Sequence, residues 1–233
     1  MAVAILAGST GHVGSSILTS LLAHPSFSSV YAYSRRDLPN PNGSTKLHPL
    51  TTPTTSQWAS LFPARSLSPK IMFSGLATTR ADAGGFDNQR KIDYDLNLEL
   101  ARAAKDAGVD TYVLISSQGA SSSSMWAYMK MKGELEDSIR ELGFKHTVFL
   151  RPGFIAGERT SREAGVAEAG LRWLAKSLGN VSPALKNGWA QDGEMIARAA
   201  VSAGVQCLEG KREEGVWVLG QADIVRLGQL ETS

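Results

Sequence analysis

The sequence predicts an α/β fold, a doubly wound parallel sheet with helices on both faces and a small C-terminal extension. Two observations predict it. Short apolar runs bounded by turn residues recur at Val3 to Ala7, Val30 to Ser34, Ile71 to Leu76, Tyr112 to Ser116 and Thr147 to Leu150, and helical patterns separate most of them. Strands apolar on both faces suit a sheet covered on both sides, which right-handed crossovers build from alternating strands and helices. The second observation is the glycine-rich junction Gly8-Ser9-Thr10-Gly11-His12-Val13-Gly14, set directly between the first apolar run and the first helical pattern.

The first helix carries Val13, Ile17, Leu18, Leu21 and Leu22 on one stripe. The stretch from Asp37 to Pro69 is rich in Pro, Asn, Ser and Thr, and it reads as loop with a short strand at Leu47 to Leu50 and one or two helical turns at Trp58 to Phe62. A longer helix is expected from Gln89 to Ala107, presenting Leu96, Leu100, Ala103 and Ala104, with Gly108 as its stop. Another begins near Met125, and Ile196 to Leu208 is helical. The pattern at Glu163 to Leu178, with Val166, Leu171, Trp173, Leu174 and Leu178, suits a packing face or a homodimer contact. Gly215 to Leu219 reads as an extra strand, followed by a short helix from Gln221, and Trp126 and Trp189 read as core or rim packing, with lining of the substrate pocket as the alternative.

At 233 residues, 42% hydrophobic and 20% charged, the chain suits one domain, 1–233, in which 154–233 contribute a reduced substrate-side region. A net charge of +2 with scattered cations argues against nucleic-acid binding. No apolar run reaches the roughly 18 to 20 residues of a membrane-spanning helix, and the N-terminal run is too short for a signal segment. The single cysteine, Cys207, cannot form an internal disulfide and is expected to pack as a small hydrophobe in a reducing compartment. His12, His24, His48 and His146 are dispersed, so no metal site is expected.

A strand, a glycine loop and a helix in that order make a Rossmann-like dinucleotide cradle. Gly8 permits the tight turn, Gly11 lets backbone approach a pyrophosphate, and Gly14 seats the helix close on the sheet. Thr10, His12 and Val13 complete the loop, whose helix N-terminus offers free N–H groups to phosphate. The second strand ends in Ser34-Arg35-Arg36 with no carboxylate before Asp37, so two guanidiniums stand where a 2′-phosphate would lie, favouring NADP(H) over NAD(H).

After the fifth strand come Ser116 and Ser117, then a helix holding Tyr128 and Lys132. Four residues apart, phenol and ammonium share one helix face. An isolated phenol is a poor acid at neutral pH, and a neighbouring ammonium stabilises its phenolate. A serine hydroxyl at the strand end polarises a carbonyl for hydride attack. Ser117 is the preferred hydroxyl and Ser116 the alternative.

Together with Phe73 to Arg80, Gly84 to Asp87, Lys91 to Asp93, Leu114 to Ala120 and Leu150 to Gly153, these motifs resemble the atypical branch of the short-chain dehydrogenase/reductase superfamily. Within it, the chain is similar to the fungal "found in mitochondrial proteome" proteins, with the animal Tat-interacting reductase as a relative. The resemblance covers essentially the whole chain. It implies that Gly75, Leu76 and Ala77 run beside the cofactor, that Pro152 flanks the nicotinamide, and that Lys132 holds the nicotinamide ribose. Where the wider superfamily has an asparagine on the helix before the fifth strand, this sequence has Asp93, with Asn97 one turn on.

The expected function is an NADPH-dependent reductase or dehydrogenase acting on a small-molecule carbonyl or alcohol. The alternatives are an NADPH sensor or scaffold without turnover, and an enzyme reusing the fold for isomerisation or dehydration. The resemblance implies peripheral membrane association on the cytosolic face of the mitochondrial outer membrane, with a cytoplasmic location as the alternative.

Overall fold

The computed structural model describes residues 1–40, 43–156 and 190–230. Seven parallel strands form one sheet in the order β3-β2-β1-β4-β5-β6-β9: β1 (Ala2–Ala7), β2 (Phe27–Ser34), β3 (Leu47–Thr51), β4 (Pro69–Ser74), β5 (Thr111–Ile115), β6 (His146–Leu150) and β9 (Gly215–Leu219). A separate two-stranded parallel sheet pairs β7 (Phe154–Ala156) with β8 (Ala190–Asp192).

The strand alternation decides which side chains meet which helices. Ala4, Leu6, Ile71, Phe73, Val113, Ile115, Val148 and Leu150 face α1 (His12–Ala23) and α5 (Gly193–Leu208), whose Ile17, Leu21, Ile196 and Ala200 are fully buried. Ile5, Met72, Tyr112, Leu114 and Phe149 face the other way, onto Leu100 and Ala104 of α3 (Asn97–Asp106) and Leu135 and Ile139 of α4 (Ala127–Glu141). Two helical layers therefore cover both faces of the sheet, with the functional loops at the C-terminal ends of its strands.

The helix expected from Gln89 to Ala107 is divided into α2 (Phe86–Arg90), a π-helical turn at Lys91–Leu96, and α3. The cause is a side chain. Asn97, fully buried, donates from Nδ2 to the carbonyls of Ile92 and Asp93 at 3.2 and 3.1 Å, holding the widened turn open. Gly108 stops α3, with φ of 83° and its N–H on the Lys105 carbonyl. Between β3 and β4 the chain makes three short 3-10 turns where one or two helical turns were expected, and Trp58 of that stretch is buried against Tyr33.

Residues from 193 onward belong to the main sheet and its cover. Helix α5 lies against α1 and the central strands, β9 closes the sheet beside β6, and α6 (Gln221–Leu230) packs on α5. The helix expected at Glu163 to Leu178, and Trp189, lie outside the described residues.

Candidate functional site

The phosphate cradle is built by three glycines that interlock. Gly8 sits at φ of 85°, and a β-carbon there would stand 2.6 Å from the Gly75 carbonyl carbon, where the loop leaving β4 crosses. A β-carbon on Gly14 would collide with the Gly8 carbonyl oxygen. The β1 turn, the start of α1 and the exit of β4 thus touch backbone to backbone, with room only for hydrogen. Among the described residues the one atom close to a β-carbon on Gly11 would be the Gly8 carbonyl oxygen, which leaves its outer side clear of them. Helix α1 begins at His12 with no side-chain cap and no acidic residue in its first turn, which leaves its first N–H groups to an anion. These residues fit a pyrophosphate.

Neighbouring contacts hold the cradle. Ser9, buried, donates its hydroxyl to the Tyr33 carbonyl at 2.6 Å, fastening the loop to the end of β2. The His12 imidazole lies on Gly193, where a β-carbon would be 2.7 Å from Nε2, so the first residue of α1 rests on the first of α5. Thr10 is exposed and Val13 is buried. Arg35 and Arg36 are exposed directly after β2, and neither makes an ion pair among the described residues. The Ser34 hydroxyl lies 3.1 Å from that of Thr51 on β3.

The loop after β4 runs from Gly75, whose N–H donates to the Ala7 carbonyl, through buried Leu76 to exposed Ala77. Asn97 stitches it to the helix layer, donating to the Leu76 carbonyl at 3.3 Å and accepting from the Ser74 hydroxyl at 2.5 Å. Asp93, fully buried in the π turn, accepts the Thr78 N–H at 2.7 Å. Asp93 and Asn97 therefore both act on this loop, one through a carboxylate and one through a carboxamide.

Helix α4 brings Lys132 to the end of β5, with Tyr128 one turn before it on the same helix. Tyr128 is half-buried, and Lys132 is buried with Nζ 3.4 Å from the Ile115 carbonyl. Burial lowers the Lys132 ammonium below the usual lysine range, while the negative charges of Asp93 and Glu136 act to raise it. Gly133 permits this placement: a β-carbon there would run into the backbone of Ser121 and Ser122, which cross directly over the helix.

The two serines differ. Ser116, buried, donates to Glu136 Oε1 at 2.5 Å. Ser117 is half-buried, with its hydroxyl 3.4 Å from the Gln118 carbonyl and 3.9 Å from the Met129 sulfur. Pro152, buried just beyond β6, accepts the Gln118 N–H at 2.9 Å, which ties the loops after β5 and β6 together.

A protein named "Protein fmp52-1, mitochondrial" from Aspergillus terreus is 50% identical to this chain, covering 98% of it and 100% of the relative. The chain belongs to the Fmp52 family. "Protein fmp-52, mitochondrial" from Neurospora crassa is 46% identical over 97% of this chain and 95% of its own length. The HIM1 family matches residues 67–172. Among solved structures, a short-chain dehydrogenase/reductase from Saccharomyces cerevisiae is similar with a TM-score of 0.65 at 14% identity, covering 97% of this chain and 99% of that one. MoeE5, solved with UDP-glucuronic acid and NAD, is similar with a TM-score of 0.64 at 17% identity, covering 93% of this chain and 75% of that one. The seven-stranded parallel sheet is the fold shared with these short-chain dehydrogenase/reductase structures and with sugar-nucleotide epimerases.

In this Fmp52-family chain, sequence reasoning missed Glu136, buried one turn beyond Lys132 on the same helix face. Its signal was the spacing itself, 128, 132 and 136 at successive turns of α4. Its partner is Arg151, which donates from Nε to Oε1 at 3.0 Å and from an Nη to Oε2 at 2.5 Å.

Proposed function

We propose that this chain is an NADP(H)-dependent oxidoreductase that interconverts a small-molecule carbonyl and its alcohol. The observation that carries the reading is Lys132, a buried ammonium at the end of β5, one turn along α4 from Tyr128. A buried lysine carries a desolvation penalty that a structural position does not need, and perturbed groups of this kind collect at functional sites. When bound, NADP(H) supplies or accepts the hydride.

Each residue then has a task. The open side of Gly11 and the first turn of α1 take the pyrophosphate, with Gly75, Leu76 and Ala77 beside it, and Arg35 and Arg36 take the 2′-phosphate through charge-assisted hydrogen bonds. Lys132 holds the nicotinamide ribose and stabilises the Tyr128 phenolate. Tyr128 gives its proton to the carbonyl oxygen in reduction and takes it back in oxidation. Ser117 orients the carbonyl, because the Ser116 hydroxyl is directed to Glu136. Pro152 flanks the nicotinamide.

A second reading, binding without turnover, draws on the same engaged Ser116 hydroxyl and on Asp93 in the relay position. Titration with NADPH and NADH tests the cofactor, and NADPH oxidation across aldehydes, ketones and quinones separates the two readings. Tight NADPH binding with no oxidation of any of them selects the sensor. Equal affinity for both nucleotides removes the role of Arg35 and Arg36.

The relatives are named mitochondrial, and we assign this chain to the same organelle, at the cytosolic face of the outer membrane. Among the described residues no helix is long and apolar enough to cross a membrane, and the attachment we propose is peripheral. Carbonate extraction of isolated mitochondria tests this, since a peripheral protein is released.

A further inference from the structure

One carboxylate in the site takes no part in the chemistry assigned to Tyr128 and Lys132. Glu136 is 1% exposed, and a buried charge persists only where partners replace its water. It has three hydrogen bonds: the Ser116 hydroxyl and Arg151 Nε on Oε1, and an Arg151 Nη on Oε2. These come from different elements, Ser116 from the end of β5 and Arg151 from the exit of β6, while Glu136 itself belongs to α4.

The connections close into a ring. Arg151 precedes Pro152, whose carbonyl accepts the Gln118 N–H, and Gln118 is two residues from Ser116. Ser117 therefore lies between two anchored neighbours, one held by Glu136 and the other by Pro152. On the opposite side, Glu136 is one helical turn from Lys132.

We propose that Glu136 is a positioning residue of the oxidoreductase site: its carboxylate fixes Ser117 through Ser116 and Arg151, and holds the Lys132 ammonium in its buried, charged state. The proposal rests on the function argued above. The charges acting on Lys132 are Asp93 from the π turn and then Glu136 from α4 itself, and its Nζ lies 3.4 Å from the Ile115 carbonyl of β5. Tyr128 lies a turn before it, and Arg151 stands behind Glu136 and offsets part of its charge.

Opposite substitutions therefore act in opposite directions. Glu136→Gln removes a negative charge and leaves the Arg151 cation uncompensated, so the ammonium becomes easier to deprotonate. Arg151→Gln leaves the Glu136 charge undiluted, so the ammonium is held more firmly.

The test is a pH titration of the full chain without cofactor, followed through the ε-carbon NMR signals of labelled lysine. The Lys132 signal is the one that disappears in Lys132→Arg. Relative to wild type, the midpoint is expected to fall by about one unit or more in Glu136→Gln, to change little in Glu136→Asp, and to rise in Arg151→Gln. An unmoved midpoint in Glu136→Gln, or a shift of the same sign in Glu136→Gln and Arg151→Gln, overturns the proposal. If Glu136→Gln does not fold, Arg151→Gln decides alone: a rise sustains the proposal and no change ends it. Because no cofactor or turnover enters this measurement, its failure is distinguishable from a failure to oxidise NADPH.

Discussion

The carbonyl oxygen of Gly8 fills the space that a β-carbon on Gly14 would need. This one contact sets how closely α1 approaches the sheet, and so where its first N–H groups point. Gly14→Ala must push the turn and the helix apart, with a destabilisation of about 1–3 kcal/mol, as overpacking typically costs. NADPH binding is expected to be lost with it. Gly143→Ala is the control. Gly143 has φ of 64° but open surroundings, so its cost is backbone strain of about 1–2 kcal/mol, and NADPH affinity should not change. Urea denaturation and an NADPH titration of both variants check this, and a Gly14→Ala protein that binds like wild type contradicts it.

Arg35 and Arg36 should discriminate between the two nicotinamide nucleotides and do little else. Both are exposed and neither makes an ion pair among the described residues, so their loss should leave stability within about 0.5 kcal/mol of wild type. Each charge-assisted bond to a 2′-phosphate contributes about 1.5–3 kcal/mol, so replacing both with alanine should weaken NADPH by roughly a hundredfold to ten-thousandfold. NADH affinity should stay where it is. Calorimetric titration with each nucleotide reads both numbers, and an equal loss for NADH contradicts the assignment.

The local features of this site were legible in the sequence because their physics is local. The glycine loop between a strand and a helix, and a tyrosine one turn before a lysine, depend on spacing within a single element. What escaped depends on contacts between elements. Nothing near Glu136 announces Arg151, fifteen residues on and across a strand, and nothing near Gly133 announces the Ser121–Ser122 backbone above it. The π turn escaped for the same reason. Asn97 and the Ile92 and Asp93 carbonyls share one helix, but the bond from Asn97 to Leu76 belongs to the packed protein. Strand boundaries moved by one to three residues where polar positions interrupt an apolar run, as at Ser28 and Ser29, which β2 includes by starting at buried Phe27.

Cys207 supplies a probe of the far end of α5. Burial pushes its thiol up to about 11, with the Arg212 cation pulling slightly the other way. In the unfolded chain the thiol ionises near its ordinary value, so between about pH 9 and pH 11 the folded state binds more protons than the unfolded one. This contribution is fully present below the ordinary thiol value and is lost as pH rises toward the folded one. Wild type should lose stability toward urea more steeply than Cys207→Ala over that window. Equal slopes for the two proteins would show that the thiol is not protected in the fold.

The central claim is that Tyr128 moves the proton while Lys132 holds it ready. The direct measurement is single-turnover oxidation of NADPH with a reducible carbonyl compound, comparing wild type with Tyr128→Phe and recording NADPH affinity for both. Removing the phenol hydroxyl should slow the reaction by about 10²–10⁴-fold, the usual worth of a positioned acid, and leave NADPH binding within about twofold. A Tyr128→Phe protein that oxidises NADPH as fast as wild type would contradict it.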